Sequence, residues 1–234
     1  MRHQELRMGM NSVNDWVLFI ADFARILLVI NVSALILTRK NQCVEIKAFS
    51  WFLGVDLLIE LMAGWFSKQH INNMPLLHLY TLLEFLTLSL FYKSVLSDWK
   101  AFQKYFGIWV SGVMLLLFCN SLFLEPITAF NSNAKTLVQT IMIGYAVVYF
   151  FQHFGKTDFS ENRSLALALI NSGVLVYYSG SLFVFMFSKA LNDPATQASV
   201  SVQSFFWLLN GFLFLIFQLL ILISIWKATR IRTR

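Results

Sequence analysis

Four carboxylates lie inside apolar stretches of this sequence, and they are the residues most able to do chemistry there. They are Asp22, Asp56, Glu60 and Glu84, and Arg25 is the basic residue found in the interior of the same stretches. A charged side chain in hydrocarbon costs about 2.5–3.5 kcal/mol on insertion scales, so such residues are expected to face a bundle interior and to have partners. Because one arginine cannot pair with four acids, at least two carboxylates remain to take a proton, bind a cation or contact a cationic ligand.

The spacing of these residues places them on three helix faces. Three pairs are separated by three or four positions, so each pair shares one face of a helix: Asp22 with Arg25, Asp56 with Glu60, and Tyr80 with Glu84. Consecutive helices run in alternating directions and usually pack as neighbours, which brings the three pairs to a similar depth. Neutral polar residues on later helices reach the same level. The predicted ligand-binding residues are Asp22, Arg25, Asp56, Glu60, Tyr80, Glu84, Tyr178 and Asn210.

Simpler interpretations stay open for parts of this cluster. Asp22 and Arg25 can form a salt bridge that only holds helices together. His78 can be an interfacial histidine near lipid headgroups, or a metal ligand alongside Glu60 or Glu84, in which case the oxygen-rich set favours Mg, Ca or Mn over Zn. No His-x-x-x-His or His-Glu-x-x-His motif occurs in the sequence, so metal-dependent hydrolysis has little support. A divalent cation is the cofactor that the sequence allows.

Seven apolar stretches are long enough to carry these residues across a membrane. The chain is 58% hydrophobic and only 13% charged, about half the charged fraction of a soluble domain. A helix needs about 20 residues to cross a bilayer, and the stretches near residues 16–37, 48–66, 76–96, 105–123, 135–153, 164–188 and 202–226 meet that length. We predict an all-α membrane protein, a seven-transmembrane-helix bundle that forms a single transmembrane domain over residues 1–234.

The distribution of basic residues predicts how this bundle is oriented. Of the 18 Lys and Arg residues, about two thirds fall at the helix ends that share a side with the C-terminus. The positive-inside bias then places the N-terminus outside and the C-terminus in the cytoplasm. The basic segment at 227–234 would face anionic headgroups, which accounts for much of the net charge of +6 without a nucleic-acid partner. We therefore predict the lipid bilayer, and no nucleic acid, as a partner.

Several classes of membrane protein are disfavoured by what the sequence lacks. There is no glycine-rich phosphate loop, which argues against a nucleotide-driven pump. No lysine lies between Lys189 and Lys227, so the seventh helix cannot form a retinal Schiff base and no retinal cofactor is expected. The acids are concentrated in the first three helices, and no internal repeat indicates a transporter built from two inverted halves.

The stretch NNMPLLHLYTLLEFLTLSLFYK (72–93) resembles a pattern of uncharacterised multi-pass inner-membrane proteins from Bacteroidetes-type bacteria. In that pattern asparagines precede a helix with a Tyr-x-x-x-Glu-Phe core and an aromatic-basic end. The matching positions are Asn72, Asn73, Tyr80, Glu84, Phe85, Tyr92 and Lys93, in a stretch that covers about a tenth of the chain. The family has no assigned activity, so the resemblance implies a seven-helix protein of a bacterial inner membrane and no particular chemistry.

These observations favour a receptor-like or sensory protein. A small polar or cationic ligand, or a proton, would enter the acidic cluster from outside, and a separate membrane or cytoplasmic partner would read the response. The alternative is a transporter or proton-coupled permease that uses the same cluster. It requires polar residues that continue toward the cytoplasm, for which Asn31, Asn171 and Gln218 are the candidates. An intramembrane enzyme acting on lipid is less favoured because histidines are few, and a purely structural subunit is the remaining class.

Overall fold

The computed structural model describes residues 2–153, 162–191 and 200–229 of the chain, and within these ranges the side chains from residue 16 onward except those of residues 41, 188–191, 200, 201 and 203. It contains seven α-helices: α1 (Arg2–Thr38), α2 (Val44–Lys68), α3 (Met74–Val95), α4 (Lys100–Cys119), α5 (Ser132–His153), α6 (Asn162–Leu191) and α7 (Val200–Thr229). A 3-10 turn (Arg39–Asn41) follows α1, and a π-helical turn (Asn120–Leu124) follows α4. No strand occurs among the described residues, so the predicted all-α architecture is confirmed for them.

Six of the seven helices are long and apolar enough to cross a membrane. The candidate spans are Trp16–Thr38, Met74–Val95, Lys100–Leu124, Ser132–His153, Asn162–Phe187 and Ser204–Thr229. The helix predicted as the second span is present as α2, but it is not among the six, and it carries Asp56 and Glu60 in its apolar part. The chain is therefore an integral membrane protein with six helices able to span, and a crossing by α2 remains a prediction.

Two helix ends differ from those predicted, each for a local reason. The helix predicted to begin near residue 16 begins at Arg2, because residues 4–8 (Gln, Glu, Leu, Arg, Met) are good helix formers and nothing there ends the helix. The fourth helix ends at Cys119 and widens into the π-helical turn. Glu125 follows with extended backbone angles, φ −125° and ψ 115°, as expected of a residue that precedes a proline.

Six of the helices form a closed ring. Around it, α1 packs against α2, α2 against α3, α3 against α5, α5 against α6, α6 against α7, and α7 against α1, while α4 packs outside the ring on α3. Neighbours in sequence run antiparallel because the connections are short. One end of the bundle, here called the cavity end, therefore carries the connections 69–73 and 125–131 and the N-terminal halves of α3, α5 and α7.

The outer surface of the ring is apolar. Large hydrophobic side chains exposed there include Phe19, Leu37, Ile108, Leu115 and Phe151, each more than 60% exposed. Apolar surface of this extent is not stable in water, and on spanning helices it is the surface that contacts lipid. The predicted bilayer contact is consistent with this surface.

Aromatic rings fill the middle of the bundle. Phe49 and Phe52 of α2 contact Phe91 of α3 and Phe217 of α7, with ring centroids 5.1 Å and 6.2 Å apart respectively. Tyr177 of α6 stacks on Phe217 at 5.3 Å. These contacts join four helices of the ring across its centre. They form an aromatic layer below the cavity end.

An ion pair closes the opposite end of the bundle. Arg163 of α6 donates a hydrogen bond to the Glu45 carboxylate of α2, which is largely buried. Burial opposes ionisation of Glu45, but hydrogen bonds from its own backbone N–H and from Arg163 outweigh it, so the pKa of Glu45 is lowered. The pair links two helices that are not neighbours in the ring.

Close packing of α6 on α7 depends on a glycine. A Cβ atom added at Gly180 would lie 2.4 Å from Cδ1 and 2.9 Å from Cδ2 of Leu213, so the two helices approach closely only because position 180 lacks a side chain. We expect Gly180→Val to destabilise the protein by about 1–3 kcal/mol through overpacking. Thermal unfolding of the purified protein in detergent measures this.

Gly144 of α5 is the matched control for Gly180, since a Cβ atom there would meet nothing within 4 Å. Gly144→Val should change stability by no more than about 0.5 kcal/mol. Equal destabilisation by the two variants would show that α6 and α7 do not pack as closely as described.

Candidate functional site

A cavity of about 430 Å³ lies at the cavity end of the ring. All six ring helices contribute to its wall, together with Phe130 of the 125–131 connection. Five of the eight residues predicted to bind a ligand line it: Arg25, Asp56, Glu60, Tyr80 and Asn210. The structure therefore brings together polar residues of α1, α2, α3 and α7 around one space. Helical spacing and alternating helix direction are what place the first four of them at a common level.

Glu84 does not line the cavity but lies behind it in a buried ion pair. Its side chain is fully buried, and both carboxylate oxygens accept hydrogen bonds from the Lys135 ammonium of α5, at 2.7 Å and 2.6 Å. The Tyr178 hydroxyl of α6 donates a further hydrogen bond to Glu84 Oε1, at 2.8 Å. The carboxylate is thus satisfied by two donors from two other helices, and α3, α5 and α6 are joined at this point.

The Lys135 ammonium also lies against two aromatic rings. Its Nζ is 4.6 Å from the ring centre of Tyr80 and 5.5 Å from that of Phe185. Lys135 is only 1% exposed, so these cation–π contacts are desolvated, the condition in which they are strongest. Lys135 lines the cavity while Glu84 does not, so the lysine separates the ligand space from the buried carboxylate.

Lys135 is the functional residue that the sequence interpretation missed. Lys135 is the first residue of the fifth apolar stretch, and a lysine at a helix end usually extends its side chain toward water. A signal was nevertheless present, because Lys135 shares the buried stripe of α5 with Val138, Met142 and Tyr149 at helical spacing. With Lys135 included, the cluster contains two basic and four acidic side chains. The excess of acidic over basic side chains is therefore two, whereas the sequence predicts three.

Asp56 is the acidic residue of the cluster that lacks a cationic partner among the described residues. It is 4% exposed and lines the cavity. Its Oδ1 accepts a hydrogen bond from the Tyr80 hydroxyl at 3.0 Å, whereas its Oδ2 has no hydrogen-bond partner in the described part of the chain. A buried carboxylate oxygen is costly to leave unsatisfied. Oδ2 is itself buried, so a group in the cavity removes this cost if the carboxylate turns to meet it.

Asp22, Arg25 and Glu60 form a separate ion-pair cluster at the surface. Arg25 Nη1 donates to Asp22 at 2.8 Å, and its Nε donates to Glu60 at 3.0 Å. The side chain of Asp22 is 68% exposed, which differs from the predicted position in the bundle interior. This geometry fits the simpler interpretation of Asp22 and Arg25 as a structural salt bridge. The contact between Arg25 and Glu60 holds α1 and α2 together. Arg25 and Glu60 also border the cavity, so this bridge closes its α1–α2 side.

His78 fixes a connection instead of meeting the other proposed metal ligands. Its two ring nitrogens lie 2.8 Å from Ser121 Oγ and 3.1 Å from the Ala129 carbonyl, and its side chain is buried. Asn131 adds hydrogen bonds from the same connection to α3. The three residues considered for a metal, His78, Glu60 and Glu84, therefore have different partners. Among the described residues no group of three or more His, Cys, Asp or Glu side chains could hold a metal ion.

Below the cavity, a few polar side chains are buried at mid-bundle. Asn31 of α1 donates to the side chain and backbone oxygens of Gln218 on α7, at 2.8 Å and 3.0 Å. Asn171 of α6 is equally buried. Asn31 Oδ1, Gln218 Nε2 and Asn171 Oδ1 have no hydrogen-bond partner within the described residues. These are the polar residues that the transport interpretation requires.

The cavity has the chemistry of a binding site. Its polar groups include a carboxylate oxygen of Asp56 and an amide oxygen of Asn210, both without a hydrogen-bond partner among the described residues, and two ion-paired bases. Aliphatic and aromatic side chains form most of the rest of its wall, as is usual for sites that bind small molecules.

Comparison of the chain with protein-family models, with curated proteins and with solved structures finds no match. The similarity of residues 72–93 to the Bacteroidetes-type proteins therefore stays a prediction, and the function of the cavity is inferred from its own geometry.

Proposed function

We propose that this chain is a receptor-like membrane protein that binds a small cation in the cavity, with Asp56 as its counter-ion. The unsatisfied, buried Oδ2 of Asp56 carries this proposal. Arg25 is held by Asp22 and Glu60, and Lys135 is held by Glu84, so neither base neutralises Asp56. A cation or a proton bound at Asp56 neutralises the carboxylate that these two bases leave unpaired.

The position of the cavity supports a sensory role. It lies where six helices meet, so a bound ligand contacts every helix of the ring at once. A ligand that binds one packing arrangement of these helices more tightly than another shifts their equilibrium. We propose that this shift is read at the opposite end by a separate membrane or cytoplasmic partner. With the N-terminus outside a bacterial inner membrane, the cavity end faces the exterior.

Transport is the second candidate, and the buried polar group at mid-bundle favours it. The three unpaired atoms of Asn31, Gln218 and Asn171 lie between the cavity end and the opposite end. They could hold water, or an ion in transit, along the bundle. The aromatic layer at Phe52 and Phe217 stands against a continuous path in this conformation. Flux into liposomes that contain the purified protein separates the two candidates.

Asp56→Asn tests the proposed binding site. The purified wild-type protein is heated with excess sodium, calcium or an alkylammonium chloride, and at several pH values. A cation present at about 100 times its dissociation constant stabilises the folded state by about 2.7 kcal/mol, which raises the unfolding midpoint by roughly 5–10 °C. We expect at least one of these cations to produce such a rise in the wild type and not in Asp56→Asn.

Asp98→Asn is the matched control. It makes the same change from carboxylate to amide, but at an exposed position at the end of the bundle opposite the cavity. It should respond as the wild type does. The proposal is wrong if no cation raises the wild-type midpoint, or if Asp56→Asn responds as strongly as Asp98→Asn.

A further inference from the structure

We infer that the ligand of this cavity is an organic ammonium ion, with its charged nitrogen at Asp56 and its alkyl groups against aromatic rings. The inference rests on the proposed function and names its ligand class. Its basis is the composition of the cavity wall, which includes Asp56, a carboxylate with one oxygen that lacks a partner among the described residues, together with several aromatic side chains.

The aromatic part of the wall comes from four elements, α3, α6, α7 and the 125–131 connection. Phe130 stacks on Phe185 with ring centroids 5.4 Å apart, and Trp207 meets both rings edge-on at 6.3 Å and 6.4 Å. Tyr177 and Phe214 form a second pair at 5.6 Å. Aromatic faces attract cations, most strongly when water is excluded, and they suit an alkylated ammonium because its surface is partly apolar.

The same wall is poorly suited to a metal ion. Calcium takes six to eight oxygen ligands and magnesium keeps an octahedral oxygen shell. Here Glu60 Oε2 is occupied by Arg25, and Asp56 Oδ1 is occupied by Tyr80. Among the described residues no group of three or more His, Cys, Asp or Glu side chains could hold a metal ion here. One carboxylate oxygen is, however, enough to pair with one ammonium group.

The bundle already binds an ammonium group in this manner beside the cavity. The Lys135 ammonium lies on the Glu84 carboxylate and against the rings of Tyr80 and Phe185. Tyr80 takes part in both places, since its ring faces Lys135 and its hydroxyl donates to Asp56. The site at Asp56 repeats this combination of carboxylate and aromatic ring, but without a lysine of its own.

Size and charge restrict the ligand further. A volume of about 430 Å³ lies in the range of small-molecule sites, and it greatly exceeds the space that one water molecule or bare ion needs. The two bases that line the cavity, Arg25 and Lys135, are both paired with carboxylates. Neither base is therefore free to pair with an acidic group on a ligand. A ligand that carries only positive charge fits the cavity better than a zwitterion such as an amino acid.

Pairs of probes that differ only in charge test this inference. Choline is compared with its uncharged isostere 3,3-dimethyl-1-butanol, and n-butylammonium with 1-butanol, by thermal unfolding and by titration calorimetry on the full chain. We expect an ammonium probe to bind and its uncharged isostere not to raise the midpoint. Asp56→Asn should weaken ammonium binding at least about tenfold.

Trp207→Leu is a second variant that keeps the test independent of Asp56. Trp207 is 40% exposed, so we expect Trp207→Leu to fold, and the loss of the indole ring should weaken ammonium binding roughly 2- to 30-fold. Trp51→Leu, at a 64% exposed position outside the cavity, should leave the affinity unchanged.

The possible outcomes separate this inference from the proposed function. If calcium or sodium stabilises the protein through Asp56 and neither ammonium does, the binding site stands and the ligand class is wrong. If a charged probe and its isostere act equally, or if Trp207→Leu and Trp51→Leu bind alike, the ammonium inference is also wrong. If no cation of any kind acts through Asp56, both proposals are wrong.

Discussion

Lys135→Met is expected to destabilise the protein by about 3–5 kcal/mol, the cost of leaving a buried carboxylate without its cation. Glu84 is fully buried and would retain only the hydrogen bond from Tyr178. Methionine has a similar length to lysine and fills the same space, so little of the loss arises from packing. For a chain of this size the unfolding midpoint in detergent should fall by roughly 6–20 °C.

The companion variant Glu84→Gln removes the other charge and should also be strongly destabilising. In the double variant Lys135→Met, Glu84→Gln no buried charge remains, so its loss should be smaller than the sum of the two single losses by more than about 1 kcal/mol. Lys93→Met is the control, because Lys93 is exposed and lies over the Phe106 ring at 4.7 Å. Additive losses, or equal effects at positions 93 and 135, would contradict the buried ion pair.

The convergence of Asp56, Glu60 and Tyr80 on one cavity could be predicted from the sequence, whereas the exposure of Asp22 at the surface could not. Convergence follows from residue spacing and from the alternating direction of consecutive helices, both of which can be read directly. Burial depends on how each helix is rotated about its axis. In α1 nearly every face is apolar, and lipid tails are as apolar as a bundle core, so hydrophobicity does not indicate which face is buried.

Contacts between helices distant in sequence were also beyond prediction. The partners of Glu84 are 51 and 94 residues away, on α5 and α6, and they meet only because the ring closes with α4 left outside. Seven apolar stretches predict seven helices but not the order in which they pack. For the same reason Asn210 of α7 could be placed at the right depth from the sequence, whereas its position on the cavity wall required the fold.

Glu125→Ala is expected to cost about 2–4 kcal/mol, because one buried carboxylate holds the end of α4 and the start of α5 together. Glu125 is 5% exposed. Its Oε2 accepts from Asn120 Nδ2 at 2.8 Å, and its Oε1 accepts from Ser132 Oγ and from the Asn133 backbone N–H, both at 3.0 Å. A carboxylate at a helix N-terminus is further stabilised by the helix dipole.

The loss of Glu125 should also loosen Lys135, which lies one turn into α5 from this carboxylate. We therefore expect faster hydrogen exchange at the amides of residues 131–135 in Glu125→Ala, together with the lower unfolding midpoint. Thr128→Ala alters an exposed side chain of the same connection and should shift stability by no more than about 0.5 kcal/mol. If Glu125→Ala matched Thr128→Ala in both measurements, α5 would be positioned by helix packing alone. In that case the connection would have no part in holding the lysine beneath the cavity.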